Sequence, residues 1–321
     1  MARTTNSQAE LMKVGATALE LIVFKMFNVT ADGTEETLHY GVNVAKVREI
    51  MPMPALTKVP DMPDYAEALT EVRGEVIPII DLSRWMKIRP AQHHTVRPKV
   101  IVLSMMNTIV GMIVHDVERI RRISWDQVKQ PPSMLQTKYG GKITGVTKID
   151  AEGESLLLIL DLESMMAEIG AVSVEAVFDA ELGDAFLKNL HGTVMVADDS
   201  AVARKIIKDN LETRGLKVIA CSDGKEALAA LHQAKARLGE KPITDYIQLL
   251  ITDVEMPEMD GITLASTLKS DDRFKSLPII VNTSLSGDES KEKAKSIGAD
   301  GYLVKFDIAH LIQEVAKFLP H

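Results

Sequence analysis

The feature that most constrains the fold of this 321-residue chain is a change in the spacing of its apolar residues between about Leu162 and Gly192. Before it come short runs rich in Val and Ile, bounded by Gly, Pro, Asn or Asp: "LELIVFKMF", "LHYGVNVAKVREIM", "GEVIPIIDL", "KVIVLSM", "TIVGMIVHDVERI", "GKITGVTKI" and "SLLLILDL". Each reads as one strand, because β-branched residues suit a pleated, half-buried surface and the bounding residues suit turns. Many short strands with turn signals between them predict a barrel or a sandwich. Pro52, Pro54, Pro60 and Pro63 make the stretch after the second run a loop.

After the change, strands alternate with helical stretches. "TVMVAD" leads to a helix over Ser200 to Arg214, "KVIACSD" to Gly224–Leu238, "YIQLLITDVE" to Ile262–Lys269, "LPIIVNTS" to Lys291–Ile297 and "GYLVK" to Ile308–Phe318. Five such units predict a parallel sheet with helices on both faces and a ligand site at the carboxyl ends of the strands. The intervening "MMAEIGAVSVEAVFDAELGDAFLKN" has helical spacing and predicts a connecting helix or two.

Composition narrows the function classes. Hydrophobic residues at 46% and charged residues at 26% are ordinary for a globular chain, whose length predicts about two domains. No apolar run approaches the roughly 20 residues of a membrane span, and "MARTTNSQAE" lacks the basic-then-apolar layout of a secretory signal. A cytoplasmic protein without direct membrane insertion is expected. The net charge of -8 is shared by both halves, so no nucleic-acid partner is expected. The one basic stretch, "RIRRIS" at Arg119 to Ser124, reads as a solvated strand face. The lone Cys221 reads as a small buried hydrophobe near a strand end. His93 and His94 lack a neighbouring ligand at metal spacing, "YGGKIT" reads as a turn, and most of the sixteen Met residues read as core.

The candidate chemistry lies at the strand ends of the second half. Asp198 and Asp199 follow its first strand, Asp253 the third, Thr283 the fourth and Lys305 the fifth. In a doubly wound sheet these ends meet in one crevice. Crowded carboxylates repel one another, and a hard, oxygen-preferring cation such as Mg2+ relieves them while leaving room for a phosphate. A hydroxyl and an ammonium complete a phosphoryl-binding set. Read singly, Asp198 also fits a helix cap, and Tyr302 is more often a core residue than a switch.

The Asp pair, "TDVEMPEMDG", a strand-end Thr and "GYLVK", in that order, resemble a response-regulator receiver domain of the chemotaxis-regulator type, from Gly192 to the C-terminus. By that resemblance Asp253 accepts a phosphoryl group from a histidine kinase. Asp199, Asp253 and the Glu255 backbone carbonyl hold Mg2+, and Asp198 supports the ion through water. Lys305 and Thr283 contact the phosphoryl oxygens, and Tyr302 is an aromatic switch. Two departures stand out. Phe306 occupies the position where the family has Pro after the Lys; a non-proline cis bond costs ~3 kcal/mol, so a trans bond is expected here. Leu285 stands where relatives often carry a polar residue that assists hydrolysis, which predicts a long-lived phosphoryl group.

In the first half, "VRGEVIPIIDLSRWM", "VGMIVHDVERI" and "GKITGVTKIDAEGESLLLILDLESMM" resemble the CheW-type chemotaxis coupling domain over about Leu19 to Met166. The resemblance implies two linked SH3-like β-barrels without catalytic chemistry, which bind the cytoplasmic tip of a chemoreceptor, the kinase CheA and other CheW-type domains. Arg73, in "VRG", matches an Arg position implicated in coupling, and equally reads as a salt-bridged turn residue.

The expected organisation is multidomain. An all-β CheW-like double barrel spans 1–166, with 1–18 helical or flexible, followed by a helical linker at 167–191 and an α/β, flavodoxin-like (βα)5 receiver at 192–321. That order matches the CheV architecture, which implies a scaffold in receptor arrays rather than an enzyme, with coupling adjusted by phosphorylation as adaptation or phosphate sink. Two competitors stay open: an Asp-nucleophile, Mg-dependent phosphohydrolase, though these usually carry Asp-x-Asp after the first strand, and a response regulator with another output such as transcription, for which no recognition helix is evident.

Overall fold

The computed structural model describes residues 18–60, 63–90, 96–105, 108–149, 155–170, 190–284, 292 and 295–319. These fall into two compact units, one within Leu19–Ala171 and the other within Val172–His321. Leu285, His93, His94, the N-terminal 1–17 and the linker stretch 171–189 lie outside the described residues.

The first unit is built from two five-stranded sheets. β1 (Ala18–Val29) and β2 (Glu35–Asn43) form an antiparallel hairpin. β3 (Val47–Pro52), β4 (Ala66–Val72), β5 (Glu75–Asp81), β6 (Lys99–Met105) and β7 (Thr108–Val114) form a second sheet in the order β3-β6-β7-β5-β4. The chain then returns through β8 (Asp116–Ser124), β9 (Ile143–Lys148) and β10 (Leu156–Leu160), giving the first sheet the order β8-β1-β2-β10-β9.

Two stretches expected as single strands are each divided between the two sheets. "LHYGVNVAKVREIM" breaks at a 3-10 turn over Val44–Lys46, where the Asn43 side chain accepts the Ala45 N–H at 2.9 Å and turns the chain out of its ladder. "TIVGMIVHDVERI" breaks at His115, whose Nδ1 accepts the Phe27 N–H at 2.8 Å and whose Nε2 lies 3.1 Å from Ser83 Oγ. β4 was not among the expected strands.

Each sheet has its own apolar cluster: Leu21, Val23, Ile123, Val128, Leu157 and Ile159 in the first, and Ile77, Ile79, Val100 and Val102 in the second. Side chains bridge the sheet edges. From edge strand β8, Arg121 Nη1 donates to the carbonyls of Lys148, at 3.1 Å, and Ile149, at the end of edge strand β9. The expectation of a solvated face for "RIRRIS" therefore fails at Arg121, a half-buried residue whose guanidinium donates to two carbonyls at the end of β9.

α1 (Leu82–Trp85) and α2 (Ser133–Tyr139) are short, and α3 (Leu162–Glu168) closes the unit. Asp161 caps α3, and the buried Lys46 ammonium meets Glu163 at 3.1 Å. Glu168 accepts from Trp85 Nε1 at 2.8 Å.

The second unit is a five-stranded parallel sheet, β12-β11-β13-β14-β15, from β11 (Thr193–Ala197), β12 (Lys217–Cys221), β13 (Leu249–Asp253), β14 (Ile279–Thr283) and β15 (Gly301–Val304). The helices described over their whole length are α4 (Ala201–Glu212), α5 (Gly224–Leu238), α6 (Gly261–Ser270) and α7 (Ile308–Ala316); of the expected Lys291–Ile297 helix, Glu292, Lys295 and Ser296 are helical, and 291, 293 and 294 lie outside the described residues. Alternation along the strands feeds two cores. Val194, Val196, Leu249 and Ile251 pack with Ile206, Leu211, Ile312 and Val315 of α4 and α7, while Met195, Ala197 and Leu250 pack with Leu231, Leu264 and Leu268 of α5 and α6. Burial on both faces explains why these strands read as continuous apolar runs. Helix starts are set by side-chain caps from Ser200, Asp223, Asp260 and Asp307. Among the described residues no helix is long and apolar enough to cross a membrane.

Candidate functional site

The order of the parallel sheet reverses at β11, so the crevice lies over the carboxyl ends of β11 and β13. Asp198 and Asp199 follow β11 directly, and Asp253 is the last residue of β13. Each of the three offers a carboxylate oxygen within 4.8 Å of the others. Asp198 and Asp253 are 1% and 4% exposed, which leaves bulk water little part in screening them; Asp199 is half-buried.

Lys305 brings the opposite charge. Its Nζ lies 2.8 Å from Asp253 Oδ2 and 2.9 Å from Asp198 Oδ2, and its side chain is 1% exposed. The remaining carboxylate oxygens are held by backbone: Asp253 Oδ1 accepts the Val254 N–H at 2.6 Å and Asp198 Oδ1 accepts the Ser200 N–H at 2.9 Å. Burial of this charge is tolerated because every buried carboxylate has an ammonium or an N–H against it.

Thr283 ends β14, 3% exposed, and its carbonyl accepts the Lys305 N–H at 2.8 Å, so the Thr and the Lys belong to one rigid strand pair. Tyr302 is half-buried on β15 and pairs in register with Val281. Glu255 sits half-buried in the loop two residues past Asp253. No described peptide bond is cis, so the Lys305–Phe306 bond is trans as expected. Phe306 adopts a left-handed φ of 68°, and its ring packs against the α4–α7 core beside Ala203, Ile206 and Leu311.

Two residues of the site were not anticipated. Gly261 passes so close to the end of β13 that a Cβ there would fall 1.8 Å from the Asp253 carbonyl oxygen; the Gly of "MDG" was the available signal. Arg204, in the first turn of α4, donates from Nη1 to the Asp198 carbonyl at 2.5 Å, and nothing in the spacing marks it. The Cys221 thiol is pushed up to about 12, chiefly by burial and further by the nearby Glu226 and Asp223 charges, which makes it inert.

The donor set fits a hard divalent cation. It is all oxygen and net negative, and its three carboxylate oxygens lie within 4.8 Å of one another, near enough to share one small ion directly or through water. Soft or imidazole-preferring metals would find neither thiolate nor His here among the described residues.

In the first unit, Arg73 lies in the two-residue turn between β4 and β5. With Gly74 it has positive φ, 52° and 85°, as a tight hairpin of this hand requires. Its guanidinium meets Glu49 of β3 through Nε at 2.9 Å and Nη2 at 3.0 Å, beside an Arg48–Glu75 pair at 2.5 Å. Arg73 is thus a salt-bridged turn residue, and 65% of its side chain is exposed.

A two-sheet β unit followed by a doubly wound unit with this strand-end set defines a coupling module joined to a receiver. Consistently, residues 26–170 match the CheW-like domain and residues 194–316 the response regulator receiver domain. Chemotaxis protein CheV3 of Helicobacter pylori is 36% identical over 99% of both chains. The chain belongs to the CheV family of chemotaxis proteins. Chemotaxis protein CheW of Klebsiella aerogenes is 30% identical over 42% of this chain and 77% of its own. The solved structure of Vibrio cholerae CheY4 is similar over 40% of this chain and 99% of its own, at 29% identity and a TM-score of 0.35.

Proposed function

We propose that this chain is a scaffold that couples the cytoplasmic tips of chemoreceptors to the histidine kinase CheA, and that Mg-dependent phosphorylation of Asp253 adjusts the coupling. The carrying observation is the cluster of buried Asp198 and Asp253 with half-buried Asp199, and Lys305 2.8 Å from Asp253, in a chain whose other half matches the CheW-like domain. The working boundaries are 1–166 for coupling, 167–191 for the linker and 192–321 for the receiver. The protein acts in the cytoplasm, in receptor arrays that hold other CheW-type domains.

A carboxylate oxygen of Asp253 attacks the phosphorus of a phosphohistidine. The P–O bond forms as the P–N bond breaks, and the departing imidazole takes up a proton. Lys305 and the Thr283 hydroxyl contact the phosphoryl oxygens, and charge-assisted donors of this kind are the strong ones. Asp199, Asp253 and the Glu255 carbonyl hold Mg2+, with Asp198 supporting the ion, and Mg2+ supplies neutralisation of the phosphoryl charge. The new group adds about -1.5 to -2 charges where Lys305 now bridges two carboxylates, so Lys305 and Thr283 are drawn to it, and Tyr302 responds. Arg73 shapes the hairpin that the coupling partners meet.

The test is treatment of the purified protein with acetyl phosphate, followed by mass spectrometry. An adduct on Asp253 that requires Mg2+ and vanishes with chelator is expected; no adduct, or one indifferent to chelator, overturns the reading. Sustained turnover of a generic phosphate ester would point instead to a phosphohydrolase. Kinase output in a reconstituted array of receptor, kinase and this protein, with wild type against Asp253→Ala, gives the sign of the effect.

A further inference from the structure

Asp198 is held from four directions. Its N–H donates to the Cys221 carbonyl at 3.2 Å, its Oδ1 accepts from Ser200, its Oδ2 faces Lys305, and its carbonyl oxygen accepts from Arg204. That carbonyl belongs to the peptide unit joining Asp198 to Asp199. Because a peptide unit is planar, fixing its oxygen fixes the direction in which both residues leave it. Arg204 is itself seated by the first turn of α4: its N–H donates to the Ser200 carbonyl at 3.0 Å, and Ser200 Oγ caps the helix at Ala203.

We propose that Arg204 is a positioning residue for the cation site, holding the Asp198–Asp199 peptide so that both carboxylates face Asp253. The inference rests on the Mg2+ reading above and adds to it a residue outside the carboxylate set. Charge and geometry make opposite demands on this residue. As a cation beside an acidic cluster, Arg204 opposes Mg2+ binding, so its removal should tighten binding if charge were its only effect. As a clamp on the ligand-bearing peptide, its removal should weaken binding, since outer groups that orient metal ligands typically carry 10–100-fold in affinity. The sign of one measurement therefore separates the two.

The experiment is calorimetric titration of the full-length protein with Mg2+. Arg204→Met keeps the length and helix preference of the side chain and removes its donors. We expect it to weaken binding about tenfold. Arg204→Lys restores one donor and the charge, and is expected within about threefold of wild type. Lys208→Met, on the same helix in a solvent-exposed pair with Glu212, removes the same charge and should leave the affinity unchanged. Should Arg204→Met not fold, Arg204→Leu, which also lacks donors and suits a helix, carries the same comparison. Unchanged or tighter binding in the donor-free variant, or no recovery with Lys, overturns the proposal. Absence of Mg2+ binding by the wild type would instead overturn the cation site itself.

Discussion

Lys305 Nζ lies 2.8 Å from Asp253 Oδ2, and neither side chain is more than 5% exposed. The same ammonium reaches Asp198 Oδ2, so one cation stabilises two buried carboxylates. Removing one member of such a group leaves uncompensated charge in a poorly solvated site, which costs about 3–5 kcal/mol. Lys305→Ala should lower the unfolding free energy of the receiver unit by that order in chemical denaturation. Added Mg2+ should recover a substantial part, because a second cation then faces the same oxygens. An equal loss with and without Mg2+ would count against a shared charge role.

Gly261 permits the loop after β13 to fold back on the Asp253 carbonyl. Gly261→Ala places a Cβ 1.8 Å from that oxygen and 2.8 Å from Thr252 Oγ1, and backbone has to move. A loss of about 3 kcal/mol or more is expected from this overlap, along with slower phosphorylation of Asp253 by acetyl phosphate. Denaturation midpoints and the rate of adduct formation are the measurements.

Phe306 keeps a left-handed backbone that costs an L-residue with a Cβ roughly 1–2 kcal/mol. Asn tolerates this region and Ala does not. Both substitutions lose the ring's packing against the α4–α7 core, so Phe306→Asn is expected to be more stable than Phe306→Ala by about 0.5–1 kcal/mol. The reverse ranking of melting temperatures would show that the loop relaxes out of this conformation.

Asp260 caps α6 and is buried, and burial pushes its carboxyl above the usual range despite hydrogen bonds from Thr263 and Ile262. A folded-state value above the unfolded one favours the protonated form. The stabilising contribution is complete below the ordinary carboxylate range and is lost as pH rises through the raised value. Asp260→Asn keeps the cap without the charge, so its stability relative to wild type should be most favourable at neutral pH. The difference should shrink as the pH falls through the raised value. Parallel denaturation series across that window give the result.

The two units differ in how far they were legible. In the receiver, strands and helices stood out because each satisfies its backbone locally or with an adjacent parallel strand, and a doubly buried strand leaves a plain apolar run. The α5 boundaries coincide with the expected Gly224–Leu238. In the coupling unit, the division of two apolar runs between sheets depends on the Asn43 turn and on His115, whose partners Phe27 and Ser83 are 88 and 32 residues away. The pattern of burial continues through such a break, so periodicity carries no mark of it. Arg121 reads as solvated and Arg204 carries no mark in the sequence for the same reason: each acts on a carbonyl, and every residue has one.

Sequence alone determined the order of modules, the strand-end acids, the accompanying Thr and Lys, and the trans course expected of a loop with Phe306 after Lys305, because these follow from residue identity and short-range spacing. Tertiary structure alone decided which oxygen Lys305 faces, where two strands change sheets, and that an arginine grips the peptide between two aspartates. Those outcomes are set by distances between residues far apart along the chain, and distance in space is fixed only when the whole core packs.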